Sequence, residues 1–466
     1  MHFLAALLLP LSGLLITGSH GFGVSHAHQT REQPGVQVPN NAMPPSQDPW
    51  YTAPAGFETA APGTILRIRT DPSNITAVLD DCVAAYNILY RTTDARYAAS
   101  WAVTTLLVPR EPVGGSNSSS GNNSSVEEQE KKSALLSYQI WYNTASVDGS
   151  PSYLLSTSFA SNDMIGIPPA TEDIGAALAR GWFVVVPDFE GPLAAFGAGP
   201  QAAHAVLDSV RAVFESDAFP GERMGEEGED RNEGDTRVAL WGYSGGSLAS
   251  TFAAERQTAY APKVRFAGMA IGGLVPNLTE VLHSLTNTAL SGLAPQLLLG
   301  LTAEFPAARA FLVSQLNAYN ASTFLAALNL TRDQSIVAYA NQDIGAYFAG
   351  GSLETFLAAP EMARVIANNG VQGHHGIPQM PVFAYEAIAD QASHIASSDD
   401  LIDIFCALDV NVLYQRNTVG DHGTEVVNGQ PRALAFLDAV LGGLYGERYN
   451  ATGCTWQDVT VDVAAS

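Results

Sequence analysis

The sequence predicts an α/β protein with a mostly parallel central sheet, because short apolar runs alternate with helical patterns along most of its 466 residues. Seven runs are typical of strands, several of them buried on both faces: residues 101–108, 135–142, 181–187, 237–241, 264–271, 380–386 and 411–415. Helical patterns lie between and after them at residues 171–180, 202–214, 247–260 and 431–446. The last pattern begins with Pro431, which suits a first helical turn. This alternation predicts right-handed crossovers, with helices flanking the sheet.

One long region breaks the alternation. Residues 276–375 are rich in Leu and Ala with helical spacing, and they contain no convincing strand. A helical cap or lid inserted between two core strands explains this best, since the alternative of a second independent domain lacks linker composition at its edges. We therefore expect a core of residues 61–275 and 376–466, with the cap at 276–375.

The N-terminus and the sequons indicate export. Residues 1–20 contain an apolar run too short to span a bilayer and resemble a secretory signal peptide, and residues 21–60 form a polar, Pro-rich extended segment. No other segment looks transmembrane. Glycosylation sequons begin at Asn74, Asn117, Asn122, Asn123, Asn277, Asn320, Asn329 and Asn450. We expect a secreted, extracellular, monomeric glycoprotein.

The charge and the residue spacing exclude several kinds of partner. A net charge of −24 argues against nucleic acids and anionic membranes. Much of that charge lies at residues 222–235, interpreted as a solvated surface loop, and a second flexible loop is expected at 114–125. The adjacent His374 and His375 lack the spacing of metal ligands, so we expect neither a metal nor a cofactor.

The segment most informative about chemistry is Gly242-Tyr243-Ser244-Gly245-Gly246, which follows an apolar strand and precedes an Ala-rich helix. A serine on such a sharp strand-to-helix turn projects its hydroxyl outward, and the flanking glycines avoid clashes that a Cβ would cause. The N–H of Gly245 then points from a helix N-terminus toward a developing oxyanion. The pattern predicts Ser244 as a nucleophile; the alternative is an ordinary glycine-rich turn.

The partners of such a serine are expected on loops after later strands, in the order acid and then histidine. Only His394 and His422 remain beyond the cap, and His394 is too close to Asp390 along the chain to act as the base. We therefore predict Asp390 as the acid and His422 as the base. The rival acids Asp399, Asp400, Asp403 and Asp409 are interpreted as surface helix carboxylates.

These residues also carry a family resemblance. The Ser244 motif, LSYQ at 136–139, DFEG at 188–191 and AIAD at 387–390 resemble fungal secretory lipases of the Candida antarctica lipase A type, between residues 86 and 454. The resemblance implies an α/β-hydrolase fold with a helical cap and lid, acting on triacylglycerols and other long-chain esters. It places the catalytic residues at Ser244, Asp390 and His422, in agreement with the motif analysis.

The resemblance also bears on residues that the motif leaves open. It places a second oxyanion contribution at Asn143, where the family carries an aspartate, beside that of Gly245. Of the three cysteines, Cys406 and Cys454 could pair and leave Cys82 free, and the resemblance supports that disulfide. The family's first disulfide is expected to be absent, because Gly149 stands where a cysteine would be.

The sequence therefore predicts a serine carboxylesterase or lipase that meets an ester or lipid substrate, including at a lipid–water interface. Leu-rich runs at 290–294 and 297–301, including Leu298, could line an acyl groove or only pack the cap on the core. An acyltransferase or peptidase on the same fold would use the same triad. A non-enzymatic glycoprotein with a decayed site is a further alternative, against which the intact Ser, Asp and His argue.

Overall fold

The computed structural model of the chain describes residues 41–112, 133–157, 168–220 and 236–463. In this part of the chain the strands are β1 Ile65–Thr70, β2 Cys82–Thr93, β3 Ala99–Pro109, β4 Ser133–Gln139, β5 Phe183–Pro187, β6 Thr236–Tyr243, β7 Gly268–Gly272, β8 Val382–Ala387, β9 Val412–Asn417 and β10 Cys454–Val459. The helices are α1 Ile75–Val78, α2 Pro151–Thr157, α3 Pro168–Ala179, α4 Gly199–Glu215, α5 Gly245–Tyr260, α6 Leu278–Leu285, α7 Leu293–Thr302, α8 Pro306–Gln315, α9 Ala321–Leu325, α10 Arg332–Ala338, α11 Leu353–Leu357, α12 Pro360–Asn369, α13 Ile395–Ala407, α14 His422–Gly442 and α15 Tyr445–Arg448.

All these strands form one mixed sheet in the order β1-β2-β3-β5-β4-β6-β7-β8-β9-β10. Every pair from β5 to β10 is parallel, whereas β1, β2, β3 and β5 pair antiparallel. The predicted mostly parallel sheet is confirmed. The carboxyl ends of β6, β8 and β9 therefore lie at the same edge, which is where parallel α/β sheets carry their functional loops.

Three strands were missed in the sequence. The outermost strands β1 and β10 are only partly buried, so their apolar pattern is weak. Strand β2 carries polar residues such as Asn87 and Thr92 that are nevertheless buried, because hydrogen bonds satisfy them: Asn87 donates to Asp71 at 2.7 Å and Thr92 to Asp208 at 2.7 Å.

The predicted helix start at Pro431 is wrong. Helix α14 begins at His422, where the Asp421 side chain accepts the Thr424 N–H at 2.9 Å and forms a capping box. Pro431 lies inside the helix and removes one backbone donor, whose acceptor would be the Val427 carbonyl. Val427 is exposed, so water can replace that donor. The local cap therefore outweighs the proline.

The sheet separates two apolar layers. Along β6, Val238 and Leu240 face the layer that contains α4 and α5, whereas Ala239 and Trp241 face the layer that contains α3 and α14. The alternation follows the period of two along a strand. Burial of both faces explains why β6 reads as a continuous apolar run.

The helical insertion, residues 276–375, joins β7 to β8 through helices α6 to α12. Its β pairing among the described residues is confined to two isolated bridges, Asn277 with Val371 and Leu316 with Phe348. Apolar side chains such as Leu282 and Leu312 belong to the same apolar layer as α4 and α5. The insertion therefore packs on one face of the sheet, next to the helix that follows Ser244.

Several sequence features lie outside the described residues, namely the predicted signal peptide at 1–20 and the loops at 114–125 and 222–235. Residues 41–60 are irregular apart from two short 3₁₀ turns, Pro49–Tyr51 and Phe57–Thr59. Across the described ranges, no helix combines the length and apolar content needed to cross a bilayer.

The predicted disulfide is present. Cys406, in the last turn of α13, is joined to Cys454 at the start of β10, with their Cα atoms 5.7 Å apart. Cys82 is free, and burial raises the pKa of its thiol to about 11. Gly149 packs against Thr144, so closely that a Cβ would lie 2.5 Å from the Thr144 side chain.

Candidate active site

Ser244 occupies the turn between β6 and α5 with a strained backbone, at φ 52° and ψ −122°. Few residues other than glycine adopt a positive φ, and such strain is concentrated at functional sites. The Ser244 N–H donates to the Gly272 carbonyl at 2.9 Å, which ties the turn to the end of β7. The sharp turn predicted for this motif is present.

The glycines of the motif are required by close packing. A Cβ on Gly242 would lie 2.2 Å from the Gly246 carbonyl oxygen, and one on Gly246 would lie 1.9 Å from the Gln139 carbonyl oxygen. A Cβ on Gly245 would lie 1.9 Å from Asn143 Oδ1. The approaches of Gly242 and Gly246 to backbone atoms explain why the helix can start immediately after the serine.

The structure brings the predicted acid, base and nucleophile into one hydrogen-bonded chain. His422 Nε2 lies 2.9 Å from Ser244 Oγ, and His422 Nδ1 lies 2.6 Å from Asp390 Oδ2. Asp390 follows β8, its side chain is fully buried, and its Oδ1 accepts the N–H groups of Ala392 and Ser393, each at 2.8 Å. The histidine side chain is 13% exposed, so one side of the site faces solvent.

Two further residues hold His422 by its backbone, and the sequence reasoning missed both. The Tyr243 hydroxyl donates to the His422 carbonyl at 2.7 Å, and the His422 N–H donates to Gln391 Oε1 at 3.1 Å. The sequence feature that could have identified them is their position, since Tyr243 directly precedes Ser244 and Gln391 directly follows Asp390. Tyr243 at the end of β6 and Gln391 after β8 thus hold the first turn of α14 in place relative to these two strands.

The rival acids lie elsewhere. Asp400 and Asp403 are exposed on α13, as expected. Asp399 also lies on α13, where it is half-buried and pairs with Arg416 at 3.1 Å. Asp409 is exposed but lies beyond the end of α13, so the prediction that it lies on a helix is wrong. Helix α13 has to pack on β9, and the Asp399–Arg416 pair forms where the two elements meet.

Asn143 lies four residues after β4 ends and has a positive φ of 42°, which asparagine tolerates better than most residues. It is buried beside Gly245, and both residues line a cavity that contains Ser244. The side-chain oxygen of Asn143 has no hydrogen-bond partner among the residues that the structure describes. The structure thus places the two predicted oxyanion residues on the same side of Ser244.

Buried carboxyl groups surround this centre. Burial, together with the nearby charge of Asp390, raises the pKa of Glu386, which lies on β8. Burial raises the pKa of Asp188 to about 7, although Ser152 donates to it, and burial raises the pKa of Glu190 as well. Because raised pKa values favour the neutral form, these groups add less negative charge beside the Asp390–His422 pair than exposed carboxylates would.

Two cavities meet at Ser244. One has a volume of about 380 Å³ and is open to solvent; its wall includes Trp141, Leu290, Arg332 and Val337. The other has a volume of about 30 Å³ and is almost entirely apolar. It is lined by Phe196, Val275, Leu278, Val281, Leu285, Leu293, Leu297 and Ala392 together with the site residues. Leu298 lines neither cavity.

The adjacent histidines His374 and His375 do not line the two cavities at Ser244. In the described part of the chain, no group of three or more His, Cys, Asp or Glu residues is arranged to hold a metal ion. His375 contacts the Val371 carbonyl through Nε2 at 3.0 Å and donates its N–H to Glu255. The Ser244–His422–Asp390 arrangement can move a proton from a hydroxyl to an imidazole that a carboxylate orients.

Comparison with known proteins assigns the family. The family model described as "Secretory lipase" matches residues 164–445. The chain is 43% identical to the trichothecene C-3 esterase of Fusarium sporotrichioides, over 90% of this chain and 88% of that protein. It is 32% identical to lipase A of Arthroderma benhamiae, over 87% and 81% of the two chains.

The solved structure of Candida antarctica lipase A in its closed state is also similar, with a TM-score of 0.74 over 86% of this chain and 87% of that one. At 24% identity this likeness concerns the fold, and it confirms the α/β-hydrolase fold predicted from the sequence. Together with the matched family model and the esterase and lipase relatives, it shows that the chain belongs to the secretory lipase family and is a carboxylic ester hydrolase.

Proposed function

We propose that this protein hydrolyses esters through a Ser244–His422–Asp390 triad and an acyl-enzyme. Ser244 Oγ attacks the ester carbonyl carbon while His422 Nε2 takes the hydroxyl proton, and the carbonyl electron pair becomes an oxyanion. When the tetrahedral intermediate collapses, the bond to the alcohol oxygen breaks, and His422 gives that oxygen the proton. Water then repeats the sequence on the acyl-enzyme. The observation that carries this proposal is the chain of contacts at 2.9 and 2.6 Å through His422.

The oxyanion is held in this proposal by the backbone N–H groups of Gly245 and Asn143. Gly245 is the first residue of α5, where N–H groups lack helical acceptors and the helix dipole favours negative charge. The Asn143 N–H has no acceptor among the residues that the structure describes. Replacement of the family's aspartate by Asn143 leaves this backbone donor in place.

The acyl chain is proposed to enter the apolar cavity between the sheet edge and the helical insertion, which then acts as a cap over Ser244. The predicted substrates, triacylglycerols and other long-chain esters, are supported by the aliphatic lining and by the relatives named lipases. In the present arrangement, a volume of about 30 Å³ admits only a few heavy atoms, because one water requires roughly 10–15 Å³. Long chains would require the insertion to move.

A second candidate substrate is an ester that joins a short acyl group to a bulky alcohol. The larger cavity of about 380 Å³ reaches Ser244 from the solvent side and can hold a polycyclic alcohol. The relative that is 43% identical is named a trichothecene C-3 esterase. We favour this candidate over triacylglycerols because the two cavities differ in volume by about tenfold without any rearrangement.

The triad is tested by Ser244→Ala. Ester hydrolysis should fall on the order of 10⁴- to 10⁶-fold with the thermal unfolding midpoint preserved, and His422→Ala should act similarly, with little further loss in the double variant. A serine-directed phosphonate should label the parent protein at Ser244. More than a few per cent residual activity in Ser244→Ala would make the nucleophile assignment wrong.

The substrate class is tested by measuring kcat/KM for p-nitrophenyl esters of increasing acyl chain length and for a trichothecene esterified at C-3. The matching p-nitrophenyl amides test for peptidase activity, and added alcohols test for acyl transfer. Highest kcat/KM on the trichothecene ester and on acetate supports the bulky-alcohol candidate. Highest kcat/KM at ten or more carbons supports a lipase. Preferential cleavage of amides, or transfer to alcohols in water, would instead favour the peptidase or acyltransferase alternative.

We further propose that the protein is a secreted, monomeric glycoprotein whose signal peptide is residues 1–20. The family description as secretory supports export. Of the described sequons, Asn329 and Asn450 are exposed, whereas Asn74, Asn277 and Asn320 are half-buried; the remaining three lie outside the described residues. Peptide mass mapping of the protein recovered from culture medium, before and after glycosidase, should find glycans first at Asn329 and Asn450, and size-exclusion chromatography tests the monomer.

A further inference from the structure

Gln296 is a polar side chain in an otherwise apolar stretch of α7, and no sequence motif singles it out. It is fully buried on the helix whose Leu293 and Leu297 line the apolar cavity at Ser244. A buried glutamine is destabilising unless its amide is satisfied, so its hydrogen bonds indicate why it is tolerated there.

The side-chain hydrogen bonds of Gln296 connect a loop of the core to the segment 327–330 of the insertion. Its Oε1 accepts the Ala145 N–H at 2.6 Å, and its Nε2 donates to the carbonyls of Ala327 at 2.9 Å and Leu330 at 3.0 Å. The Thr144 hydroxyl donates to the same Leu330 carbonyl at 3.1 Å. The three contacts of the Gln296 amide determine which of its ends is the oxygen, since the Ala145 N–H is a donor and the two carbonyls are acceptors.

The loop that Gln296 holds is the one that contains Asn143. Of three consecutive N–H groups, that of Thr144 donates to Glu190 at 3.4 Å and that of Ala145 donates to Gln296. Asn143 is the first of the three, and its positive φ of 42° has to be maintained by such neighbours, because this region of backbone conformation is sparsely populated. Only the Asn143 N–H is left for a ligand.

We propose that Gln296 is a positioning residue that holds the Asn143 N–H at the oxyanion site from within the helical insertion. This inference rests on the proposed function of Ser244 and Asn143. Gln296 does not touch the reacting atoms; it acts through Ala145 on the strained residue two positions earlier. The same helix forms the wall of the acyl cavity, so the cavity wall and the oxyanion donor are set by one element.

The test compares Gln296→Met with Gln257→Met, a matched variant of another buried glutamine. Gln257 lies on α5 and donates to the carbonyls of Ala261 at 3.3 Å and Val264 at 2.6 Å, with no contact to the Asn143 loop. With p-nitrophenyl butyrate as substrate, Gln296→Met should lower kcat by about 10- to 100-fold. This loss does not exceed the roughly 100- to 1000-fold fall in kcat that removal of a whole oxyanion donor causes, and KM should stay within about threefold of the parent value. Phosphonate labelling of Ser244 should slow in parallel, because the phosphoryl oxygen occupies the same site.

Gln257→Met should keep kcat within about twofold of the parent, even if its unfolding midpoint falls as much as that of Gln296→Met. Equal losses of kcat in the two variants, or an unchanged kcat in folded Gln296→Met, overturn the proposal.

If Gln296→Met shows no cooperative unfolding, Gln296→Asn takes its place, since it keeps an amide but is one methylene too short to reach the Ala145 N–H from the same backbone position. A kcat within about twofold of the parent for Gln296→Asn then overturns the proposal, and a selective fall in kcat supports it. Failure of the parent protein to be labelled at Ser244 would remove the proposed function itself, and with it this inference. That outcome is distinct from a labelled parent with an unaffected Gln296 variant.

Discussion

Strain at Ser244 and burial at Asp390 are local conditions that the surrounding residues maintain. A backbone in a sparsely populated region costs on the order of 1–3 kcal/mol, and the tight contacts of Gly242 and Gly246 allow the turn to persist. The buried carboxylate of Asp390 is satisfied by two backbone N–H groups in addition to His422. Both side chains are therefore held ready before any substrate binds.

Asp390→Asn is a sharp test at the residue scale. Its amide would present an N–H where His422 Nδ1 now meets a carboxylate oxygen, which favours the wrong imidazole tautomer, so kcat should fall by about 10⁴-fold with folding intact. Asp399→Asn is the matched control, because Asp399 pairs with Arg416 outside the site, and its kcat should stay within about twofold. Steady-state kinetics on one ester suffice. Comparable losses in both variants would mean that Asp390 has no special role.

Helix α7 shows how one element serves both packing and substrate binding. Leu297 contacts the apolar cavity, whereas Leu298, the next residue, is turned about 100° around the helix axis and packs in the core. Both side chains are almost completely buried, so burial alone does not distinguish them. A charge at Leu298 would therefore disrupt the fold and would not report on acyl binding.

Leu297→Ala should widen the acyl cavity, whereas Leu298→Ala should only leave a void in the core. We expect the ratio of kcat/KM for octanoate over acetate esters to rise about tenfold or more in Leu297→Ala, since each buried methylene contributes about 0.8 kcal/mol. In Leu298→Ala the ratio should stay near that of the parent, although either variant should lose about 2–5 kcal/mol of stability. An unchanged ratio in Leu297→Ala would place the acyl chain elsewhere.

At the scale of the whole molecule, the acidic composition extends into the interior. Burial raises the pKa of four carboxyl groups to about 7: Asp173, Asp188, Glu255 and Glu304. Between their unfolded pKa near 4 and this value, the folded state binds more protons, so stability falls as the pH rises through that range. Burial lowers the pKa of His204 to about 3 and also lowers the pKa of His375, which opposes this trend below pH 6.5 but involves two groups against four.

The thermal unfolding midpoint should therefore be higher at pH 5.5 than at pH 8, by about 5 °C or more. Glu304→Gln should reduce this difference, since a glutamine can still accept the Ala95 N–H but does not titrate. Glu354→Gln removes the same charge from an exposed position on α11 and should leave the difference unchanged. Differential scanning calorimetry at the two pH values decides; a midpoint that is constant, or higher at pH 8, contradicts the prediction.

The sequence by itself determined the fold class, because apolar periodicity and turn residues depend on local chemistry. Seven of the described strands, the helical insertion and the three residues that meet at His422 were predictable for this reason, since a nucleophile turn and two later strand ends in a parallel sheet converge at one edge. The Cys406–Cys454 disulfide followed from the small number of cysteines and the family resemblance.

Only the tertiary structure decided features that depend on partners distant in the chain. The partly buried strands β1 and β10 become visible through their neighbours in the sheet, and the start of α14 depends on a cap that outweighs Pro431. Whether Leu297 or Leu298 faces the cavity, and why a glutamine at 296 is tolerated, depend on which surfaces the folded chain brings against α7. Periodicity records that a side chain is buried, whereas its partner is set by packing across the fold.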